Sequence, residues 1–172
     1  MEAEKSSVLG HLVEITGNAF VAKLTTERDG SPSEKMIGME KVRIGQVGSY
    51  LLVKQSGHEL LCSVESMWVE PDSQGREIHK VSLVPLGEFN KNRNFERGIT
   101  HYPTTGAELH PVSSWNLERI FSDFSDIYYK VGKLSAFKSI DVNLDASAFF
   151  GRHSAILGQT GSGKSWTVTS LI

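Results

Sequence analysis

The sequence is poor in several features that would settle its class at once. Its 172 residues hold one cysteine, Cys62. A single thiol excludes an intrachain disulfide framework and a cysteine-rich zinc site, and it fits a reduced, intracellular compartment. Charge of one sign is also missing: 18 Lys and Arg stand against 20 Asp and Glu, a formal net charge of −2. That balance argues against a small, uniformly basic nucleic-acid binder and leaves room for DNA contact only through a local patch. No apolar run approaches the roughly 20 residues of a membrane-spanning helix. The opening stretch Met1-Glu2-Ala3-Glu4-Lys5-Ser6-Ser7 lacks the apolar core of a secretory signal. The expectation is a cytoplasmic protein with no membrane contact. The chain shows no internal repeat and no low-complexity tract.

What is present is ordinary for a globular protein. Apolar residues make up 39% and glycines number 16, enough for one domain, or for a small domain and part of another. Residues 8–86 read as β structure. Val8–Ile15 and Ala19–Thr25 flank Gly17-Asn18 as a hairpin. A polar loop is expected over 27–36, then a strand over Gly45–Lys54, a turn at Ser56-Gly57 and a strand over His58–Val69. Pro71–Gly75 forms the next turn and Arg76–Pro85 the next strand. Several short strands separated by turns indicate a small sandwich or barrel, with Gly10, Gly45 and Gly48 suited to bulges or bends. Residues 87–106 read as a long connection and Ala107–Val112 as a last strand. Ser113-Ser114 caps a short helix at about 114–121.

The character changes near residue 125, the expected boundary between a first domain (1–125) and a second (126–172). Tyr128–Leu134 and Ser139–Leu144 read as short strands, Phe149-Phe150 closes a short segment, and Ser154–Leu157 reads as a short, buried strand. The segment that follows carries the chemistry. Gly158-Gln159-Thr160-Gly161-Ser162-Gly163-Lys164-Ser165 matches G-x-x-x-x-G-K-[ST] in full, between a strand and a helical pattern (Trp166, Val168, Leu171, Ile172). The glycines let the backbone wrap, so that successive N–H groups point at one anion, and the helix turns its positive end to it. Lys164 is then the catalytic cation on the β/γ-phosphates of ATP, and Ser165 is the hydroxyl ligand for Mg²⁺. A dinucleotide fingerprint has different glycine spacing. Hydrolysis also needs an acid after a second strand, a group to orient water and an arginine finger. Ile140–Asp145 alternates and is not such a strand. The chain stops at Ile172, shortly after Lys164, so it reads as the first part of something larger, inactive as an ATPase by itself.

Arg97-Gly98-Ile99-Thr100-His101-Tyr102-Pro103, then Gly106–Phe121, Val131-Gly132-Lys133-Leu134, and Gly151-Arg152-His153 running into Ile156-Leu157 and the phosphate loop, resemble the HerA family. The resemblance is specific from about 97 to 172 and architectural before that. It implies a mainly β chain: a small N-terminal β-barrel, similar to that of rotary ATP synthase subunits, followed by the start of an α/β RecA-like ATPase domain. It implies a hexameric DNA translocase or helicase that works with a nuclease or other effector. The alternative is an assembly ATPase that scaffolds and activates an effector enzyme in antiviral defence. DNA contact would fall to a part of the ATPase after Ile172, and the effector would dock on the barrel. By the same resemblance, amides of Gly161–Ser165 surround the phosphates. Trp166 stands where a smaller residue is expected; it packs on a neighbour or lines the nucleotide's edge, packing being the reading adopted.

Other candidates have plainer readings. Lys91, Arg93 and Arg97 form a basic cluster, diluted by Glu96, in what reads as a solvated loop. His11, His58, His79, His101, His110 and His153 show no metal-ligand spacing. Arg152-His153 reads as surface or edge packing, and Cys62 as a small core residue.

Overall fold

A computed structural model describes residues 8–25, 34–37, 40–43, 46–90, 92, 94–122, 128–134 and 138–171. They fall into two compact units, Met1–Ser113 and Ser114–Ile172. The boundary expected near 125 lies within 123–127, outside the described residues.

The first unit is a closed barrel. Strands β1 (Gly10–Ile15) and β2 (Phe20–Leu24) form the expected hairpin. β3 (Glu34–Ile37) and β4 (Glu40–Arg43) pair as a separate ribbon. β5 (Tyr50–Gln55), β6 (His58–Pro71), β7 (Glu77–Phe89), β8 (Phe95–Arg97) and β9 (Glu108–Pro111) complete the unit. The strand order β2-β1-β9-β5-β6-β7 returns to β2, because β2 and β7 pair antiparallel from Phe20↔Leu83 to Lys23↔Lys80. Six antiparallel strands thus close on themselves, and β8 adds to the side of β7.

Alternation explains the closure. Phe20, Ala22 and Leu24 of β2, Leu51 and Val53 of β5, Leu60, Cys62 and Val64 of β6, and Val81 and Leu83 of β7 are buried at every second position and meet in one core. Bulges between Leu12 and Glu14, Leu61 and Cys62, and Val64 and Ser66 bend the strands around it. Gly10 serves by close approach and not by bending: a Cβ there would stand 2.1 Å from the Lys23 carbonyl oxygen. Gly48 lies in the turn before β5, and Gly45 is outside the described residues. At Ser56-Gly57 both turn residues have positive φ, 51° and 84°, the geometry that joins strands of right-handed twist in a two-residue hairpin.

Two expectations for this unit need correction. Part of the polar loop over 27–36 is strand β3, since a two-stranded ribbon needs no apolar alternation to pair its backbone. The connection over 87–106 is shorter than expected, because β7 runs to Phe89 and β8 pairs back on it. The part after β8, residues 98–106, is a strap across one end of the barrel. Ile99 packs on the core. The Tyr102 hydroxyl donates to the Gly17 carbonyl at 3.2 Å, and its ring meets Phe20 edge-on at 6.3 Å. Thr104 N–H donates to Gln55 Oε1 at 2.7 Å, and Gln55 Nε2 to Thr104 Oγ1 at 2.7 Å. The strap is therefore tied to the β1–β2 and β5–β6 turns, which lie at the same barrel end as the finish of β7.

The second unit contains α1 (Ser114–Ser122), the antiparallel pair β10 (Tyr128–Lys133) and β11 (Asp141–Asp145), α2 (Ala146–Phe150) and α3 (Lys164–Leu171). α1 packs against β11, and Leu117 and Ile140 are buried. The segment around Phe149-Phe150 is a short helix, capped by Asp145, whose Oδ1 accepts from Ala148 N–H at 2.9 Å. Ser154–Leu157, expected as a buried strand, joins no ladder among the described residues, and Leu157 is 90% exposed. An apolar run marks a segment able to be buried between neighbouring strands; among the described residues β10 and β11 pair only with each other. Among the described residues no helix is long and apolar enough to cross a membrane.

Candidate nucleotide site

The loop Gly158–Ser165 owes its shape to its glycines. Gly161 and Gly163 both have φ of +83°, and a Cβ at either would meet nothing within 4 Å. Their role is conformational: a left-handed residue is disfavoured for any L side chain. Ser162 N–H donates to the Gln159 carbonyl at 3.2 Å, closing a turn within the loop. Gly158 differs, since a Cβ there would come 2.6 Å from Ser162 Oγ, the end of a rotatable side chain.

Helix α3 begins at Lys164, and its first intrahelical bond runs from Thr167 N–H to the Gly163 carbonyl at 2.9 Å. The amides of Lys164, Ser165 and Trp166 precede that bond, so the helix's own carbonyls leave them free to face an anion. Lys164 Nζ donates to the Gln159 carbonyl at 2.5 Å, folding the ammonium back over the loop. Ser165 sits in the first turn and is exposed. Thr167, Thr169 and Ser170 turn their hydroxyls onto carbonyls four residues back, at 3.1, 2.9 and 2.9 Å. Trp166 is 79% exposed. Among the described residues the packing expected of it is not made, since α3 buries none of its residues.

The acids nearest in sequence already have structural work. Asp141 is bound by Lys130 at 2.7 Å and Lys133 at 3.1 Å, and these ammonium groups hold its carboxyl below the usual carboxylate range. Asp145 caps α2. Neither is poised as a base.

The remaining candidates stand as follows. Lys91 and Arg93 lie outside the described residues, while Arg97 is exposed in β8. Glu96 accepts from Asn90 Nδ2 at 2.7 Å, and Asn90 Oδ1 holds the intervening turn through the amides of Asn92 and Asn94, both at 3.0 Å. Cys62 is wholly buried, and burial pushes its thiol up to about 12. Arg152 and His153 are exposed. His58, Glu88 and His101 converge although they are far apart in sequence. Spacing along the chain carries no sign of that meeting; only the pairing of β6 with β7 and the course of the strap create it.

Comparison with known proteins bears on the loop-bearing unit. The sequence profile of the central domain of helicase HerA matches residues 129–172. Over these residues the chain is similar to the HerA central domain. The matched stretch opens in β10 and runs through the glycine loop into α3, so the loop is part of what the HerA domain shares. A Methanocaldococcus jannaschii protein described as a probable helicase is 26% identical over 153 residues. That alignment covers 74% of this chain and 28% of the relative, and so extends beyond the HerA-matched stretch. The chain thus spans little more than a quarter of that relative's length.

Proposed function

We propose that Gly158–Ser165 binds ATP with Mg²⁺, and that the chain serves as the nucleotide-binding part of a hexameric, HerA-like DNA translocase acting with a nuclease or another effector. The observation that carries this reading is a glycine loop with two left-handed turns leading directly into a helix N-terminus, within the HerA-matched residues. In this reading the amides from Gly161 to Ser165, Ser162 among them, cradle the phosphates together with Gly158, Gln159 and Thr160 of the same loop. Lys164 leaves the Gln159 carbonyl for the β/γ-phosphates, a stronger partner because it is charged. Ser165 supplies the hydroxyl to the metal, and Mg²⁺ supplies charge neutralisation at the transferring phosphoryl group. Trp166, exposed beside the loop, lines the nucleotide's edge. The barrel is a docking collar for the effector rather than a DNA reader: DNA binding needs several phosphate contacts from a basic face, and Arg97 stands beside Glu96.

The test is Lys164→Ala in the full-length protein. ATP turnover should be abolished while the barrel's melting transition stays in place. Turnover within twofold of the unsubstituted protein would overturn the assignment.

A further inference from the structure

The barrel end covered by the strap holds a set of side chains that the nucleotide reading does not use. His58 opens β6, Glu88 lies near the finish of β7, and His101 belongs to the strap. Leu60 pairs with Glu88 across the two strands, so the carboxylate sits on the strand face whose other members are core residues. The Glu88 side chain is 12% exposed. One of its oxygens, Oε1, accepts from the Thr100 hydroxyl in the strap. The other, Oε2, is buried without a hydrogen-bond partner and lies 3.7 Å from His101 Nδ1. The His58 and His101 rings stack with centroids 4.2 Å apart and planes at 27°. One ligand atom from each of the three residues lies within 4.8 Å of the others.

A buried carboxylate oxygen without a donor is costly, and a cation is the partner that would satisfy it. Two imidazoles and one carboxylate are a donor set suited to a divalent first-row transition ion and poorly suited to Mg²⁺ or Ca²⁺, which prefer oxygen alone. We propose that His58, Glu88 and His101 form a binding site for a divalent transition metal of the zinc class. Glu88 Oε2 and one nitrogen from each imidazole are its ligands, and Thr100 fixes the carboxylate through Oε1. A tetrahedral ion at the usual bond lengths draws its ligand atoms to roughly 3.4 Å apart. The His101 side chain, 61% exposed, is free to swing inward and supply that contraction. The ion would join the strap to β6 and β7, so its effect is to lock the barrel end shut. This site lies in the barrel and stands independently of the nucleotide reading.

The experiment uses the full chain freed of metal by a chelator. Zn²⁺ is titrated calorimetrically, and Co²⁺ is titrated with its visible absorption as a report on coordination. One equivalent should bind, with a Co²⁺ spectrum of four-coordinate intensity. The barrel's melting midpoint should rise by roughly 5–10 °C at a hundredfold excess over Kd. His101→Ala should weaken Zn²⁺ binding at least tenfold, and Glu88→Gln should abolish the four-coordinate Co²⁺ spectrum. His11→Ala, at an exposed histidine of β1, should bind as the unsubstituted chain does. Absence of stoichiometric binding, or affinity unchanged in both His101→Ala and Glu88→Gln, would overturn the proposal. Should Glu88→Gln fail to fold, His101→Ala and His58→Ala decide the matter.

Discussion

Replacing Gly161 or Gly163 by alanine tests whether the loop's backbone, and not merely its composition, binds phosphate. Both residues sit at φ +83°, and a Cβ at either would find open space. The substitution therefore brings no clash, and its whole cost is the left-handed conformation, about 1–2 kcal/mol for an L residue. The loop is exposed, and α3 buries none of its residues. Little packing opposes relaxation, so the substituted loop should leave the anion-binding conformation instead of straining within it. Binding then has to restore that conformation, which should weaken nucleotide affinity about 5- to 30-fold for each single change. If the two costs add, the double variant should lose roughly 25- to 900-fold. Gly158→Ala should be milder, within about threefold, because its obstacle is the Ser162 hydroxyl and a χ1 rotation removes it. Affinity for ATP with Mg²⁺ would be measured by calorimetry on the full-length protein, alongside the barrel's melting midpoint. Gly17→Ala is the control, since it has neither a clash nor a positive φ. Gly161→Ala binding within twofold of the unsubstituted protein would refute the reasoning. So would a melting midpoint that falls in step with the affinity.

Three further outcomes follow from the barrel. Gly10→Ala drives a Cβ into the backbone of β2, 2.1 Å from the Lys23 oxygen and 2.9 Å from the Leu24 Cα; it should cost about 2–3 kcal/mol and lower the barrel's midpoint by on the order of 10 °C in calorimetry. A shift under about 2 °C would show that the strands simply move apart. Cys62, buried and with its thiol pushed up to about 12, should resist a disulfide-exchange reagent at pH 8 in the native state and react at once in denaturant. The Asp72 carboxyl is lowered by the Arg76 amide, the Arg76 guanidinium and the Gln74 amide. Its folded value lies below its unfolded one, so its stabilisation is present above the ordinary value of 3.8 and is lost as pH falls through the folded value. Asp72→Asn should therefore flatten the acid limb of the stability curve, while a carboxyl titrating at its ordinary value in a proton–carbon NMR titration would contradict the premise.

The parts of this molecule legible in its sequence are those decided within a few residues. Ser56-Gly57 specifies a turn because two consecutive positive φ values are needed there. The β1–β2 hairpin, the turn after Pro71 and the helix after Ser113 are likewise local events. The glycine loop is the extreme case, since its glycines encode the backbone directly. What escaped the sequence is pairing at a distance. The β2–β7 ladder that turns a sheet into a closed barrel joins residues about sixty positions apart, and the turn signals are silent about it. β3, β4 and β8 were hidden because polar strands satisfy their backbones without alternating. The His58–Glu88–His101 convergence was hidden because cross-strand neighbours are set by register.

Ser154–Leu157 and Trp166 show the opposite limit. Both are apolar and both read as buried, yet both are exposed among the described residues. Hydrophobicity states what a segment gains by burial, not what is there to bury it. The barrel strands satisfy their own demand because each apolar face has another opposite it across the core. The segment from Ser154 to Leu171 presents an apolar run and a helix without a buried residue; its helix is held by local hydrogen bonds and by the Tyr129 hydroxyl, which donates to the Ser170 carbonyl at 3.5 Å. That division assigns the two kinds of constraint to different work. Packing holds the barrel closed, whereas glycine conformation shapes the proposed anion site, which is why a single left-handed residue should matter more to ligand affinity than to melting.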